Sequence, residues 1–359
     1  EGFILSLKVH HVYINSDDMT IEITMENEHI KGNVQLTKLD DDYPDNKLTG
    51  AEFKIYSDVN GDGKLDEGDT FVGTLAETEI GIYELKDLYY GKYLCFESVA
   101  PVGFELDTNV YAFEIKNHGE TVMVENEAGV GFLNKAQLGS LVISKTSEDG
   151  VLEGFEFVVE GVDFLGNEYS ENFVTDAEGK ITVNIRPGKY EVYEKDSENN
   201  VRYVLPEGQT VEIKACEESQ MDFVNELKKG SIEFLKLDKA TGKPLKGVSF
   251  AIYNSNKELL AEGKTDSDGI LRFDDISYGN YYWQETSTVD GYIAQPGFHE
   301  FSITEDGQTV SVTVENEPVP DIPKTGDSTN LPLWIGLMAA SGASLAGLLH
   351  YGRKRKHKA

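Results

Sequence analysis

The sequence has few basic residues, few cysteines and only one long apolar run. Its 359 residues include 32 Lys and Arg against 64 Asp and Glu, which gives a formal net charge of -32. A surface with this excess of negative charge repels phosphate backbones, which argues against nucleic acid as a partner. Two cysteines, Cys95 and Cys216, are too few for a disulfide framework. We expect both to be buried free thiols.

Signals of catalysis are also missing from the sequence. It contains no Gly-x-Ser-x-Gly motif and no phosphate-binding glycine loop, and its seven histidines are scattered. Outside the apolar run, no long stretch has the period of an amphipathic helix. We therefore expect that this part of the protein is not an enzyme and requires no cofactor.

The one long apolar run occupies residues 331–349. It is uncharged and close to the roughly 20 residues that a helix needs to cross a bilayer core. Residues 350–359 follow it as a basic tail, which the positive-inside rule keeps in the cytoplasm. The pattern predicts a C-terminal transmembrane helix, with the preceding chain exported.

A short motif lies between the exported region and this helix, in a linker at residues 319–330. It comprises Ile322, Pro323, Lys324, Thr325 and Gly326 and is followed by a polar spacer. The order of motif, spacer, apolar helix and basic tail resembles the LPXTG sorting signal of Gram-positive surface proteins, with Ile322 at the usual Leu position. The resemblance implies that a sortase cleaves after the threonine and joins the protein to peptidoglycan or to a neighbouring pilin subunit. Membrane attachment would then precede sorting only; the alternative is a plain single-pass anchor.

The remaining sequence consists of repeats of domain size. Each opens with a Gly that is followed six positions later by a Lys, and each later has a Gly-x-Tyr motif with a Glu six positions after the Gly. Each closes on an apolar run that ends in Asn. We expect a first repeat at residues 32–136, a second at 137–229 and a third at 230–318. Residues 1–31 end in the same way, which suggests the last strands of a truncated preceding repeat.

Short alternating runs of Val, Ile, Tyr and Phe, broken by Gly, Asn and Asp, fill every repeat. This pattern predicts strands, and the spacing of the turns favours antiparallel β-sandwiches. The predicted fold class is all-β, with tandem sandwich domains followed by the helix of the sorting signal.

Three polar residues per repeat fall on the apolar face of their strands, because residues two apart share a face. Burying unpaired charges costs several kcal/mol, so the three groups must compensate one another. In the first repeat, Asn126 is an alternative to Asn134 as the asparagine that supplies the amide. The three sets, each an amine, a carboxyl and an amide, are Lys38, Glu97 and Asn134; Lys145, Glu194 and Asn225; and Lys236, Glu285 and Asn316.

These sets, together with residues 93–104, which look like the E-box of pilins, resemble the Cna B-type or SpaA-type domains of Gram-positive surface proteins. The resemblance implies a prealbumin-like or Ig-like sandwich in which the first-strand Lys is joined to the last-strand Asn by an isopeptide bond. The Glu would serve as proton relay. Burial lowers the pKa of an amine and raises that of a carboxylic acid, so a neutral amine can attack the amide and ammonia leaves. This reaction is a single turnover on the protein itself. The second repeat lacks the Ala-Pro-x-Gly that follows the Glu in the first.

The first repeat also contains an acidic loop at residues 58–69. Its side chains fit the ligand spacing of an EF-hand, with a glycine at the sixth position. We predict a calcium site that stiffens the loop, the alternative being an acidic turn without metal. The expected ligand positions are Asp58, Asn60, Asp62, Lys64, Asp66 and Asp69.

Taken together, these features predict a sortase-anchored stalk in the cell wall of a Gram-positive bacterium, as part of a pilin or fibrillar adhesin. The alternative is the stalk and anchor of a larger surface enzyme, a glycosidase or peptidase, whose catalytic domain lies upstream. A third hypothesis is that the sandwich loops bind a host or matrix ligand.

Overall fold

The computed structural model describes residues 2–126 and 129–320, and the regular structure of these residues consists entirely of strands. The chain divides into two compact units, Glu1–Lys228 and Lys229–Ala359. The predicted all-β fold of tandem sandwiches is confirmed. Residues in the two described ranges form no helix that is long and apolar enough to cross a membrane. The apolar run at 331–349 lies outside the described ranges.

The first repeat is a sandwich of two sheets. One has the order β4-β5-β1-β8, with β9 also paired to β1, and the other has the order β3-β2-β6-β7. The strands are β1 (Lys31–Asp40), β2 (Glu52–Ser57), β3 (Thr70–Thr74), β4 (Ala76–Glu79), β5 (Ile82–Tyr89), β6 (Gly91–Val99), β7 (Val110–Ile115), β8 (Thr121–Met123) and β9 (Phe132–Asn134).

The second repeat has the same plan, with one sheet in the order β13-β10-β17-β15 and the other in the order β12-β11-β14-β16. Its strands are β10 (Gly139–Ser147), β11 (Glu156–Asp163), β12 (Glu168–Val174), β13 (Lys180–Ile185), β14 (Gly188–Glu194), β15 (Tyr203–Val204), β16 (Gln209–Ile213) and β17 (Glu218–Leu227).

The third repeat forms the second unit, with sheets in the orders β21-β18-β24 and β20-β19-β22-β23. Its strands are β18 (Lys229–Asp238), β19 (Ser249–Tyr253), β20 (Leu259–Lys264), β21 (Ile270–Ser277), β22 (Gly279–Ser287), β23 (His299–Ile303) and β24 (Thr309–Asn316).

In every repeat the first strand pairs in parallel with the last. These pairs are β1 with β9, β10 with β17, and β18 with β24. The first strands alternate between buried and less buried positions, except at residues 230–232 of β18, and in β1 the buried set includes Val34, Leu36 and Lys38. Full burial of such an aliphatic side chain contributes about 1.5–3 kcal/mol, so the alternation fixes which face of the strand meets the core.

Residues 2–30 form no strand of more than one bridge, so the strands expected there are absent from this structure. The one bridge joins Phe3 to His29, and Leu5 and Leu7 are largely exposed. A single strand has no sheet to complete its hydrogen bonds and no facing layer to cover its apolar side chains. The assignment of this segment to a preceding repeat stays a prediction.

The cysteine expectation is correct for Cys95 and wrong for Cys216. Both are free thiols, and burial raises the pKa of the Cys95 thiol in β6. Cys216 is exposed, because it lies in the turn between β16 and β17 with a positive φ of 58°. Its side chain is therefore outside the face alternation that a strand would impose.

Arg186 joins the first and second repeats. Its guanidinium donates to the Asp40 carboxylate of the first repeat at 2.7 Å and to the Asp163 carboxylate of the second at 2.9 Å. The guanidinium also lies over the rings of Tyr43 and Phe164, and all three charged side chains are nearly inaccessible to solvent. The arginine is therefore a shared counter-charge for two buried carboxylates, one on each side of the junction.

Replacing Arg186 by Met is expected to destabilise the first unit by about 3–5 kcal/mol, because it leaves two buried carboxylates without a counter-charge. Arg272→Met is a matched control, since Arg272 makes ion pairs at the exposed surface of the third repeat. Thermal unfolding followed by circular dichroism should show a lower Tm for Arg186→Met and little change for Arg272→Met. Equal melting of the two variants would contradict the role of the junction.

Candidate functional site

The structure brings the nine predicted polar residues together as three buried clusters, one in each sandwich. Each lysine lies on the first strand, each glutamate on the strand that begins with the Gly-x-Tyr motif, and each asparagine on the last strand. All nine side chains are at least nine-tenths buried. The register is the same throughout, because each asparagine pairs with the residue two positions after the lysine: Asp40 with Asn134, Ser147 with Asn225, and Asp238 with Asn316.

In the first cluster, the amine, the amide and the carboxylate are in direct contact. Lys38 Nζ donates to Asn134 Oδ1 at 2.5 Å and lies 3.5 Å from Glu97 Oε1. Asn134 Nδ2 donates to both oxygens of Glu97, at 2.8 and 2.9 Å. The structure thus places Asn134 beside the lysine. The side-chain oxygen of Asn126, the alternative, accepts the Val130 N–H.

The third cluster repeats this arrangement. Lys236 Nζ donates to Asn316 Oδ1 at 2.5 Å and to Glu285 Oε2 at 3.2 Å. Asn316 Nδ2 donates to Glu285 Oε1 at 2.6 Å and to the hydroxyl of Thr288 at 2.7 Å. In both clusters the amide carbonyl therefore faces the amine and the amide nitrogen faces the carboxylate.

The second cluster differs in the direction of its lysine. Lys145 Nζ donates to the carbonyl of Thr146 and lies 3.9 Å from Glu194 Oε2. Asn225 Nδ2 still donates to Glu194 Oε1, at 2.9 Å. Among the described residues, neither Asn225 Oδ1 nor Glu194 Oε2 has a hydrogen-bond partner.

Burial changes the protonation of the lysines. It lowers the pKa of Lys38 and of Lys145 from 10.5 to about 8, although the neighbouring glutamate opposes the change. Burial also lowers the pKa of Lys236. Each buried amine therefore loses its proton more readily than an exposed lysine does, and a neutral amine is the nucleophilic form.

A glycine accepts a hydrogen bond from the backbone N–H of each buried lysine and so fixes the lysine backbone. The carbonyls of Gly81, Gly179 and Gly269 accept the N–H groups of the three buried lysines at 2.7–2.8 Å. All three glycines have positive φ, and a Cβ on Gly179 would lie 2.4 Å from the Lys145 carbonyl oxygen. Only glycine fits such a position, so the turn before β5, β13 or β21 holds the lysine strand in register.

The sequence did not indicate the additional hydrogen-bond donors to the glutamate carboxylate of each cluster. The backbone N–H of Asp107 donates to Glu97 at 2.8 Å, and the Asn200 side chain donates to Glu194 at 2.9 Å. In the third repeat the backbone N–H of Gln295 lies 3.4 Å from Glu285. A backbone donor leaves no residue-type signal, and Asn200 has no counterpart in the other repeats from which its role could be read.

The acidic loop at 58–69 uses its carboxylates to hold its own backbone. Asp58 accepts the N–H groups of Gly61 and Gly63, and Asp69 accepts those of Val59 and Asp66. Within the described ranges, no group of three or more acidic, His or Cys side chains is arranged to hold a metal ion. The calcium site therefore stays a prediction. The sorting motif at 322–326 lies outside the described residues.

The fold and the clusters define a class: tandem prealbumin-like sandwiches with a buried Lys, Glu and Asn in each. The family model of the SpaA prealbumin-like fold domain matches residues 32–128, 139–227 and 230–318, which make up more than half of the chain. The chain therefore belongs to the SpaA family of prealbumin-like domains.

Two relatives extend this comparison. Serine-aspartate repeat-containing protein D of Staphylococcus aureus (strain Newman) is 25% identical over 260 residues, which cover 62% of this chain and 20% of that protein. The structure of the Bacillus anthracis TIE protein matches with a TM-score of 0.57 and 28% identity, covering 81% of this chain and 51% of that one. The chain thus spans about a fifth of the length of the staphylococcal relative.

The lowered lysine pKa predicts a pH-dependent stability wherever the amine remains free. In an Asn134→Ala variant, Lys38 binds its proton with a pKa of 10.5 when unfolded and about 8 when folded. The unfolded state then holds more protons, so stability should rise by about 2 kcal/mol between pH 7 and pH 9.5. Urea denaturation at the two pH values measures this gain.

The matched control is the double variant Asn134→Ala, Lys38→Met. It keeps the cavity left by the asparagine but has no titrating amine in the cluster. The pH-dependent gain should disappear in the double variant, and an equal gain in both proteins would contradict the burial effect.

Proposed function

We propose that the chain is the stalk region of a Gram-positive cell-surface protein, a pilin or fibrillar adhesin. Its sandwiches are locked by Lys–Asn isopeptide bonds, and a sortase anchors its C-terminal end. The observation that carries this proposal is the buried cluster of one amine, one amide and one carboxylate at the same register in each sandwich, with the amine in direct contact with the amide in the first and third. Family membership and the two Gram-positive relatives support the location at the cell surface.

The geometry of the first cluster suits amide exchange. The Lys38 amine faces the Asn134 carbonyl, while the leaving nitrogen of the amide lies between the two oxygens of Glu97. Nζ bonds to Cγ of the asparagine, the bond from Cγ to Nδ2 breaks, and ammonia leaves. The carboxyl carries the proton from the attacking amine to the departing nitrogen, so no oxidant or cofactor takes part.

A bond at this position changes how the domain responds to tension. The first and last strands of each sandwich are parallel neighbours and lie at the two ends of the repeat. Without a covalent link, force on the chain ends acts on the hydrogen bonds between these strands. With the link, force passes from one strand to the other through the lysine side chain, as a stalk on a cell surface requires.

The mass of the expressed protein tests the bonds directly. We expect the purified chain to be lighter than its sequence by three ammonia molecules, one per cluster. The Glu97→Gln variant should lose only two ammonia molecules, because its first cluster has no proton relay and its bond stays open. By the loop-closure argument the open variant should also lose about 4–5 kcal/mol of stability, since the closed loop spans nearly 100 residues.

Glu105→Gln is the matched control, because Glu105 is an exposed carboxylate of the same repeat. It should lose three ammonia molecules and unfold as the unsubstituted chain does. A mass that equals the uncorrected sequence in the unsubstituted protein would refute the isopeptide proposal.

Anchoring is tested by substituting Ala at both Thr325 and Gly326. Without the cleavage site, sortase cannot join the chain to the wall, so the protein should appear in the culture medium or in the membrane fraction. Ser328→Ala in the polar spacer is the control and should leave wall attachment unchanged. Continued attachment of the double variant to purified peptidoglycan would contradict the sorting proposal.

A further inference from the structure

The carboxyl of each cluster is held by a donor besides its lysine and asparagine. In the first and third repeats this donor is a backbone N–H ten residues after the glutamate, from Asp107 to Glu97 and from Gln295 to Glu285. A donor of this kind fixes the direction of the carboxyl and leaves it free to exchange protons within the cluster.

The second repeat cannot use the same donor. Asp107 and Gln295 lie three residues after the residue that pairs two positions beyond the asparagine, and in the second repeat that residue is Tyr203. The matching position is therefore Pro206, which has no N–H to donate. In its place, Asn200 Nδ2 donates to Glu194 Oε1 at 2.9 Å. This sequence difference accompanies the loss of the E-box continuation in the second repeat.

Asn200 is itself rigidly held. Its side chain is 1% exposed, and Nδ2 also donates to the Lys195 carbonyl at 2.8 Å. Its Oδ1 accepts the Ser197 N–H at 2.8 Å, which settles the orientation of the amide. Every polar atom of the side chain is therefore engaged, and one of the engaged donors points at the carboxyl.

In the second cluster, two buried acceptor atoms receive no hydrogen bond from the described residues. Glu194 Oε1 receives both Asn200 and Asn225, so Oε2 remains without a partner among the described residues, 3.9 Å from Lys145 Nζ. Asn225 Oδ1 is also buried without a described partner. The equivalent atoms in the other two clusters contact the lysine amine, so rotation of Lys145 away from the Thr146 carbonyl would satisfy both acceptors.

We propose that Asn200 is a positioning residue for bond formation between Lys145 and Asn225, in place of the backbone donor of the other repeats. The inference rests on the proposed function. Nζ of the lysine bonds to Cγ of Asn225, the bond from Cγ to Nδ2 breaks, and ammonia leaves. Glu194, held by Asn200, transfers the proton from the amine to the departing nitrogen.

The test uses the full chain with Asn200→Ala and with Asn200→Asp, and compares them with Asn199→Ala. The aspartate retains the acceptor for the Ser197 N–H but cannot donate to the carboxylate, so it separates positioning of Glu194 from folding of the loop. Asn199 is an exposed residue of the same loop whose Nδ2 contacts the Gly154 carbonyl at 3.3 Å. Intact mass counts the bonds, and mapping of the cross-linked peptides assigns each bond to its repeat.

We expect the unsubstituted chain and Asn199→Ala to lose three ammonia molecules. Both Asn200 variants should have lost only two at the time when the unsubstituted chain has lost three, because a misplaced carboxyl slows closure of the second repeat about tenfold or more. The first and third repeats act as internal controls. Hydrogen exchange of the β10 and β17 amides checks, independently of the bond, that the second repeat is folded.

Closure of the second repeat at the unsubstituted rate in both Asn200 variants would overturn the inference, as would an unsubstituted chain that closes only the first and third repeats. Absence of ammonia loss from all three repeats would instead refute the proposed function. If both variants leave β10 and β17 unprotected, Asn200→Gln decides, because it retains the amide donor. A closed second bond in that variant supports the inference, and an open bond in a protected repeat overturns it.

Discussion

The structure depends on an amine that is buried inside each sandwich. A lysine at that position costs several kcal/mol unless its charge is compensated or removed. The neighbouring carboxylate offers compensation, and burial lowers the pKa of Lys38 and Lys145, so that the neutral amine forms more readily than in an exposed lysine. The register of the first and last strands, the positive-φ glycine behind the lysine and the donors around the glutamate all serve to hold this one group beside an amide.

The face of each strand could be predicted from the sequence because alternation is a local property. Lys38 follows Val34 and Leu36 at steps of two, so its burial requires only that the strand exists. The same logic cannot assign a residue in a loop or turn. It failed for Cys216, which the turn between β16 and β17 directs to solvent, and it gave no signal for Asn200, whose partner lies in a different element.

The contacts between repeats were beyond the reach of sequence reasoning for a related reason. Arg186 and Asp40 are far apart in the chain, and Arg186 has no counterpart in the other repeats. Asp40 recurs as Asp238 of the third repeat, but its place two residues after the lysine does not indicate a contact with another domain. From the sequence alone, a charged residue at the end of a strand is expected to be exposed to solvent, because the domain that faces it is not known. The three repeats therefore share the internal chemistry that the sequence displays three times, while the features that distinguish them emerge only from three-dimensional packing.

Asp40 connects these two levels of organisation. It lies two residues after Lys38, pairs in register with Asn134, and receives the guanidinium of Arg186 from the next sandwich. Arrays of this kind are commonly regarded as beads that recombination can add, delete or exchange. Here an exchange of the second sandwich alone would bury an aspartate without its arginine, so the first two sandwiches are expected to be inherited as a pair.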